Sequence, residues 1–154
     1  MALGNIFDIA GTGMNAQSLR LNTTASNLAN AQSASSSVDQ VYRSRQPVFA
    51  AIQREAMQQS FNGASSFTGS RASNEEEANA GVQVLGIFES SAPLERRYEP
   101  THPKADKDGY VFYPNVNVVE EMTNMISASR SFQMNVEVMN SAKQMVQRVL
   151  TLGQ

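Results

Sequence analysis

Large side chains recur at alternating three- and four-residue spacings at both ends of the chain, a pattern that lines up one face of a helix and predicts two long amphipathic helices. In the first stretch the stripe runs through Leu3, Phe7, Ala10, Met14, Gln17, Leu21, Thr24 and Leu28, and closes on Ser26-Asn27-Leu28-Ala29-Asn30. In the last it runs through Val118, Met122, Met125, Ser129, Phe132, Val136, Met139, Lys143, Val146 and Leu150. The last stretch also carries boundary signals. Asn117 stands at the N-cap with Glu120 at the third helical position, resembling a capping box. Glu120 and Glu121 suit the positive end of the helix dipole, Lys143 and Arg148 suit the negative end, and Gly153 is placed to end the helix.

The first stretch is poorer in such signals. Residues 1–34 hold Asp8 and Arg20 as their charged side chains, and Gly11, Gly13 and the Asn, Ser and Thr residues each disfavour helix by up to roughly 1 kcal/mol relative to Ala. Tertiary or intersubunit contacts are expected to supply the missing stability. Both stripes therefore read as packing seams that seek each other.

Between the helices the periodicity changes. Residues 33–37 form a small polar break, and 38–52 read as a short extended segment with a bend at Pro47. From 53 to 80 large apolar residues thin out while Ser, Asn, Ala and Gly dominate, which predicts a long polar loop or insertion. Valine and aromatic content then favours a strand over 81–89, with further strand candidates at Tyr98 and at Tyr110-Val111-Phe112-Tyr113, preceded by the tight-turn pair Asp108-Gly109. The expected architecture is mainly α with a small β module. The N- and C-terminal helices pair as an extended coiled-coil-like hairpin around a β-rich middle segment that carries the long polar loop. The expected divisions are 1–34 for the first helix of the inner core, 35–115 for the middle module with its insertion at about 53–80, and 116–154 for the last helix.

Composition narrows the function classes. With 12 basic and 14 acidic side chains in 154 residues the formal net charge is −2, so no global field draws the chain to nucleic acid or an anionic membrane. The absence of cysteine removes disulfides, thiolate metal sites and cysteine nucleophiles together. No stretch approaches the roughly 20 apolar residues of a membrane span, and Gly4, Asn5 and Asp8 interrupt any apolar run that could act as a cleaved signal. A soluble chain that is not exported by a cleaved signal is expected.

Candidate chemistry is thin. Gly11-Thr12-Gly13-Met14-Asn15-Ala16 matches G-x-G-x-x-A, but the helical stripe runs through both glycines and no acidic residue occupies the ribose-binding position. Asp106-Lys107-Asp108-Gly109 lacks the terminal bidentate acid of a calcium loop. His102 stands alone in a polar stretch, the Glu75-Glu76-Glu77 run reads as a solvated loop, and no G-x-S-x-G elbow is present. No catalytic residue, cofactor or metal site is assigned. The methionines of the last stripe suit a helix-packing seam better than a promiscuous target groove.

Ser26-Asn27-Leu28-Ala29-Asn30-Ala31 resembles the N-terminal signature of the flagellar rod and hook axial proteins, and Met1-Ala2-Leu3-Gly4-Asn5-Ile6-Phe7-Asp8-Ile9-Ala10 resembles the opening of one branch of them. Near the other end, Pro114-Asn115-Val116-Asn117-Val118-Val119-Glu120-Glu121-Met122, Ser127-Ala128-Ser129-Arg130-Ser131-Phe132, Asn135-Val136-Glu137-Val138 and Thr151-Leu152-Gly153-Gln154 are similar to the proximal-rod members. The similarity covers about residues 1–50 and 80–154, while 54–80 is longer and more polar than the family pattern. The resemblance implies a structural subunit of the bacterial flagellar basal body, exported uncleaved by the flagellum's own type III apparatus and built into the helical rod that crosses the periplasm. Its terminal helices would line the inner tube, and the rod would transmit torque from the membrane ring to the hook. Implied partners are other rod subunits, adjacent basal-body ring or adaptor proteins, and the export apparatus during secretion.

On this reading the packing and subunit-interface residues are Leu3, Phe7, Ala10, Met14, Leu21, Asn27, Leu28 and Asn30 on the first helix. On the last they are Met122, Met125, Ile126, Phe132, Val136, Met139, Val146 and Leu150. The roles of Asn27 and Asn30 stay open between capping or bending the helix and hydrogen-bonding across a subunit boundary. Two other classes are a small nucleotide-binding enzyme using Gly11 and Gly13, which nucleotide would stabilise against heat, and a helical adaptor or export chaperone, which would co-purify with a client.

Overall fold

In a computed structural model the described residues are 2–52 and 81–152, with the side chains of Ala2, Leu3 and Leu152 outside the description. The expected polar insertion, the Glu75-Glu76-Glu77 run and Gly153 lie outside the described residues. The first element is one continuous helix, α1 (Ala2–Asn30). Its many hydroxyls hold to the helix itself: Thr12 Oγ1 donates to Asp8 O at 2.9 Å, Thr23 to Leu19 O at 2.8 Å, Thr24 to Leu21 O at 3.0 Å and Ser26 to Asn22 O at 2.9 Å. A hydroxyl satisfied in this way enters a packed surface without an unpaired donor. This is why Thr23 and Thr24 are buried while neighbouring positions are not. At the end of α1, Asn30 Nδ2 donates to Ser26 O at 2.8 Å, and the amides of Ala31 and Ser33 bond back to Leu28 O and Asn30 O, so the last carbonyls find partners without a glycine.

A short 3-10 turn at Val38–Gln40 stands where the sequence suggested the beginning of an extended segment. The strand begins later, at β1 (Arg45–Ile52), and pairs antiparallel with β2 (Gly81–Glu89). Pro47 sits inside this ladder opposite Ile87, and the irregularity falls at Val48/Phe49 instead. A two-stranded sheet leaves one edge of each strand unpaired, where a missing N–H is tolerated. A second ladder joins β3 (Glu95–Tyr98) to β4 (Tyr110–Tyr113), and β4 is tied to the chain leaving α1 by reciprocal backbone bonds of 3.0 Å between Ser35 and Phe112. Gly109, at the foot of β4, has φ of +79°, and a Cβ there would lie 2.9 Å from Tyr98 Cε2.

The chain ends in α2 (Val118–Leu152), capped by Asn117, whose Oδ1 accepts from Val119 N at 3.1 Å and Glu120 N at 3.4 Å. α1 touches α2 and both strands of the first sheet. The helices run antiparallel, since Gly13 meets Asn135, Arg20 Nη2 donates to Asn124 Oδ1 at 2.9 Å, and Asn27 meets Glu121. On its other side α1 is held through Thr12 Oγ1, which accepts from Val82 N at 3.2 Å. With neighbours on two sides, its buried arc keeps Ala10 and Thr24 of the large apolar stripe and extends past it to Ala16, Thr23 and Asn27. The most buried positions are Ala10, Ala16, Thr23, Thr24 and Asn27, matched on α2 by Glu121, Ala128 and Ala142. Gly13 explains half of the nucleotide-like motif: it lies inside a helix, with Asn135 Nδ2 2.8 Å from where a Cβ would stand, and a Cβ at Gly11 would meet nothing within 4 Å. The strand-to-helix turn that a dinucleotide site requires is therefore missing from this segment.

Gly109→Ala is expected to destabilise the folded chain by about 1–2 kcal/mol, because a Cβ in a left-handed backbone is strained and this one also meets the Tyr98 ring. Gly86→Ala, with open space around its Cβ, is the control expected to be close to neutral. Urea unfolding midpoints of the two variants check both outcomes.

Candidate assembly surface

The centre of the molecule is a polar side chain. Among the described residues Val111 and Asn27 are the largest that are fully buried, so an asparagine occupies a place normally taken by a core aliphatic. Burying an amide is tolerable only if its hydrogen-bonding capacity is used. Asn27 Nδ2 donates to Arg45 O at 2.8 Å and to Glu121 Oε1 at 2.9 Å, and Oδ1 accepts from Tyr42 OH at 2.8 Å and Arg45 N at 2.9 Å. Two donors and two acceptor sites are thus filled by two separate parts of the chain, residues 42–45 and the first turn of α2. One side chain fixes the end of α1, the first residue of β1 and the first turn of α2 to one another.

A second amide extends the junction. Asn115 Oδ1 accepts from Ser44 N at 2.9 Å, and its Nδ2 donates to Ala92 O at 3.0 Å. The electrostatics follow from burial. Desolvation pushes the Tyr42 phenol above its ordinary value against the lowering effect of Arg45, and pushes the Glu121 carboxyl up against the bond from Asn27 and the more distant Arg20. Arg45 turns outward to Glu89, its cross-strand partner, at 2.9 Å. A cleft of about 370 Å³ beside the junction is lined by Arg20, Arg45, Phe49, Glu120, Glu121 and Asn124, with no nucleophile–base pair in it. Among the described residues no group of three acidic or imidazole side chains could hold a metal ion. No helix there is long and apolar enough to cross a membrane.

The large apolar side chains lie around this polar seam. Phe7, Met14, Leu21 and Leu28 are half-buried along α1, whereas Ala10 and Asn27 face inward and Asn30 bonds its own helix. Leu3 belongs to α1, with its side chain outside the description. On α2, Met125, Phe132, Val136, Met139 and Val146 are half-buried, and Met122, Ile126 and Leu150 are exposed. Two further sets stand open to solvent: Val119 with Met122 and Ile126, and Met134, Val138, Met145 and Val149; of the second set Met134, Val138 and Met145 lie with Ile6, Glu137 and Ala142 along an open groove of about 380 Å³. Met134, Val138, Met145 and Val149 lie off the main stripe of the sequence, although their spacings of four, seven and four residues form a stripe of their own. Tyr42, Arg45 and the buried role of Glu121 have no local pattern in the sequence that marks them.

A chain that ties its elements together at a buried polar junction while leaving two sets of large apolar side chains exposed on its longest helix has the surfaces of a structural subunit suited to an assembly. A family model described as "Flagella basal body rod protein" matches residues 7–32, and one described as "Flagellar basal body rod FlgEFG protein C-terminal" matches residues 107–152. The chain is 48% identical to the "Flagellar basal-body rod protein FlgC" of Salmonella typhimurium and 49% identical to that of Escherichia coli, in each case over 154 residues and 100% of both chains. To the protein of the same description from Borreliella burgdorferi it is 35% identical over 158 residues, covering 100% of this chain and 99% of the relative. The chain belongs to the FlgC family of flagellar basal-body rod proteins. It is accordingly a structural rod subunit of the flagellum, located in the basal body among other basal-body components, and not an enzyme.

Asn27→Leu is expected to cost more than about 3 kcal/mol, since the backbone of Arg45 and the side chains of Tyr42 and Glu121 lose their partner inside the protein. Asn30→Ala, which removes one exposed local bond, is expected to cost less than about 1 kcal/mol. Chemical denaturation of the two variants in parallel measures the contrast.

Proposed function

We propose that α1 and α2 act as a coiled-coil-like hairpin in the inner layer of the rod, and that the exposed apolar sides of α2 are the contacts through which subunits polymerise. The observation that carries this reading is the outward placement of Val119, Met122 and Ile126 on one part of α2 and of Met134, Val138, Met145 and Val149 on another, in a chain whose own seam is closed by alanine, threonine and asparagine. Contacts on different faces of a subunit are heterologous, and a series of them that does not close into a ring makes a helical tube. The half-buried Phe7, Met14, Leu21 and Leu28 give α1 a flank for the same purpose.

In this arrangement the two β ladders project outward, and the tube is a shaft that carries torque from the membrane ring to the hook. The neighbours proposed for it are other rod subunits and adjacent ring or adaptor proteins, with the type III export apparatus as a partner during secretion. No nucleotide or other cofactor takes part.

Ile126→Asp separates assembly from folding. Ile126 is 56% exposed, so a carboxylate there leaves the isolated fold intact; once a neighbour covers the site, an unpaired charge costs several kcal/mol. The variant is expected to keep the wild-type circular dichroism spectrum and to fail to restore motility and rod assembly in a flagellated bacterium lacking its own copy of this subunit. Leu28→Asp, at a half-buried position, is expected to fail in both assays. Normal swimming with Ile126→Asp would remove this face of α2 from the interface.

A further inference from the structure

We propose that Glu121 holds the junction of α1, β1 and α2 as a neutral carboxylic acid, and that loss of its proton loosens this junction. The geometry supports the neutral form. Glu121 is 6% exposed; its Oε1 accepts a single hydrogen bond, from Asn27 Nδ2 at 2.9 Å, and its Oε2 is sealed from solvent with no partner among the described residues. A buried carboxylate needs several donors or a paired cation, whereas a neutral acid in the same place needs far less compensation.

The groups that could hold the charge are engaged elsewhere. From α1, Arg20 gives Nη2 to Asn124 Oδ1 at 2.9 Å and lowers the acid only from a distance. From the β1–β2 sheet, the Arg45 guanidinium is taken by Glu89 through Nε at 3.1 Å and Nη2 at 2.9 Å. Just before β1, Tyr42 already donates its hydroxyl proton to Asn27 Oδ1. On α2 itself Glu120 adds a like charge, and the helix N-terminus favours the anion only modestly. Burial is the largest influence and raises the acid above its ordinary 4.5.

The sign of the linkage follows. A carboxyl raised on folding binds its proton more tightly in the folded chain, so its contribution to stability is fully present below pH 4.5 and is lost as pH rises through the folded value. Because Glu121 Oε1 receives one of the two Asn27 donor bonds, loosening there reaches the Arg45 backbone through the same amide.

The test uses the full chain labelled with ¹³C at glutamate carboxyls, the Glu121 signal being identified by its absence in Glu121→Gln. The expected midpoint lies above 4.5 and moves higher still in Arg20→Gln. Hydrogen-exchange protection of the Arg45 amide, corrected for the intrinsic rate, is expected to fall through the same pH window in the wild type and to stay level in Glu121→Gln. A midpoint at or below 4.5 overturns the proposal. So does a Glu121→Gln chain that loses Arg45 protection in step with the wild type, and if that variant does not fold the wild-type midpoint decides alone.

Discussion

Everything in this chain hangs on the complete use of one buried amide. An asparagine in the interior is a liability whenever one of its four hydrogen-bonding sites goes unmet, and Asn27 meets all four from two segments distant in sequence. No apolar side chain could do the same. A leucine would fill the volume but would not hold the Arg45 N–H and C=O, which both bond to this amide, nor fix the first turn of α2 in register with the end of α1. Directional bonds give the junction a single geometry where the surrounding core is too small to impose one.

That small core has a consequence for the rest of the structure. With Ala10, Ala16, Ala128, Ala142 and Gly13 between them, α1 and α2 approach closely and use little of their large apolar surface on each other. Methionines, valines and isoleucines are left along the flanks of the pair, where a monomeric protein of this size would place charge. Internal closure by small residues and external closure by large ones are complementary: the first sets the shape of the subunit and the second leaves it unfinished.

The sequence made the elements legible where their signals are local. Asn117 as cap, the strands over residues 81–89 and 110–113 and the turn at Gly109 could be found because each rests on neighbours in sequence. The face that α1 buries could not be found that way. A three-and-four stripe assumes a single partner, and α1 has two, α2 and the β1–β2 sheet, so its buried arc includes Thr23 and Asn27 where the pattern favoured Leu21 and Leu28. Polar residues reached the interior because their hydroxyls bond backward along the helix, a property that hydropathy does not register. Glu121 looked like an ordinary first-turn acid, and its partner lies 94 residues away.

The distribution of charge fits the two layers of the molecule. The ion pairs among the described residues, Arg45–Glu89 and Arg97–Glu95, sit on the β ladders, and each has side chains about half exposed. Along the outer sides of α2, exposed thioether and aliphatic side chains stand among charged ones such as Glu137, Lys143 and Arg148. An ion pair demands a partner of fixed sign at a fixed place, whereas dispersion contacts, and methionine in particular, adapt to whichever surface arrives. A rod subunit has neighbours on several faces that need not be identical, so adaptable faces on a rigid frame suit it better than registered charges. The rigidity comes from Asn27, and the adaptability comes from the methionine and aliphatic side chains that its junction leaves outside.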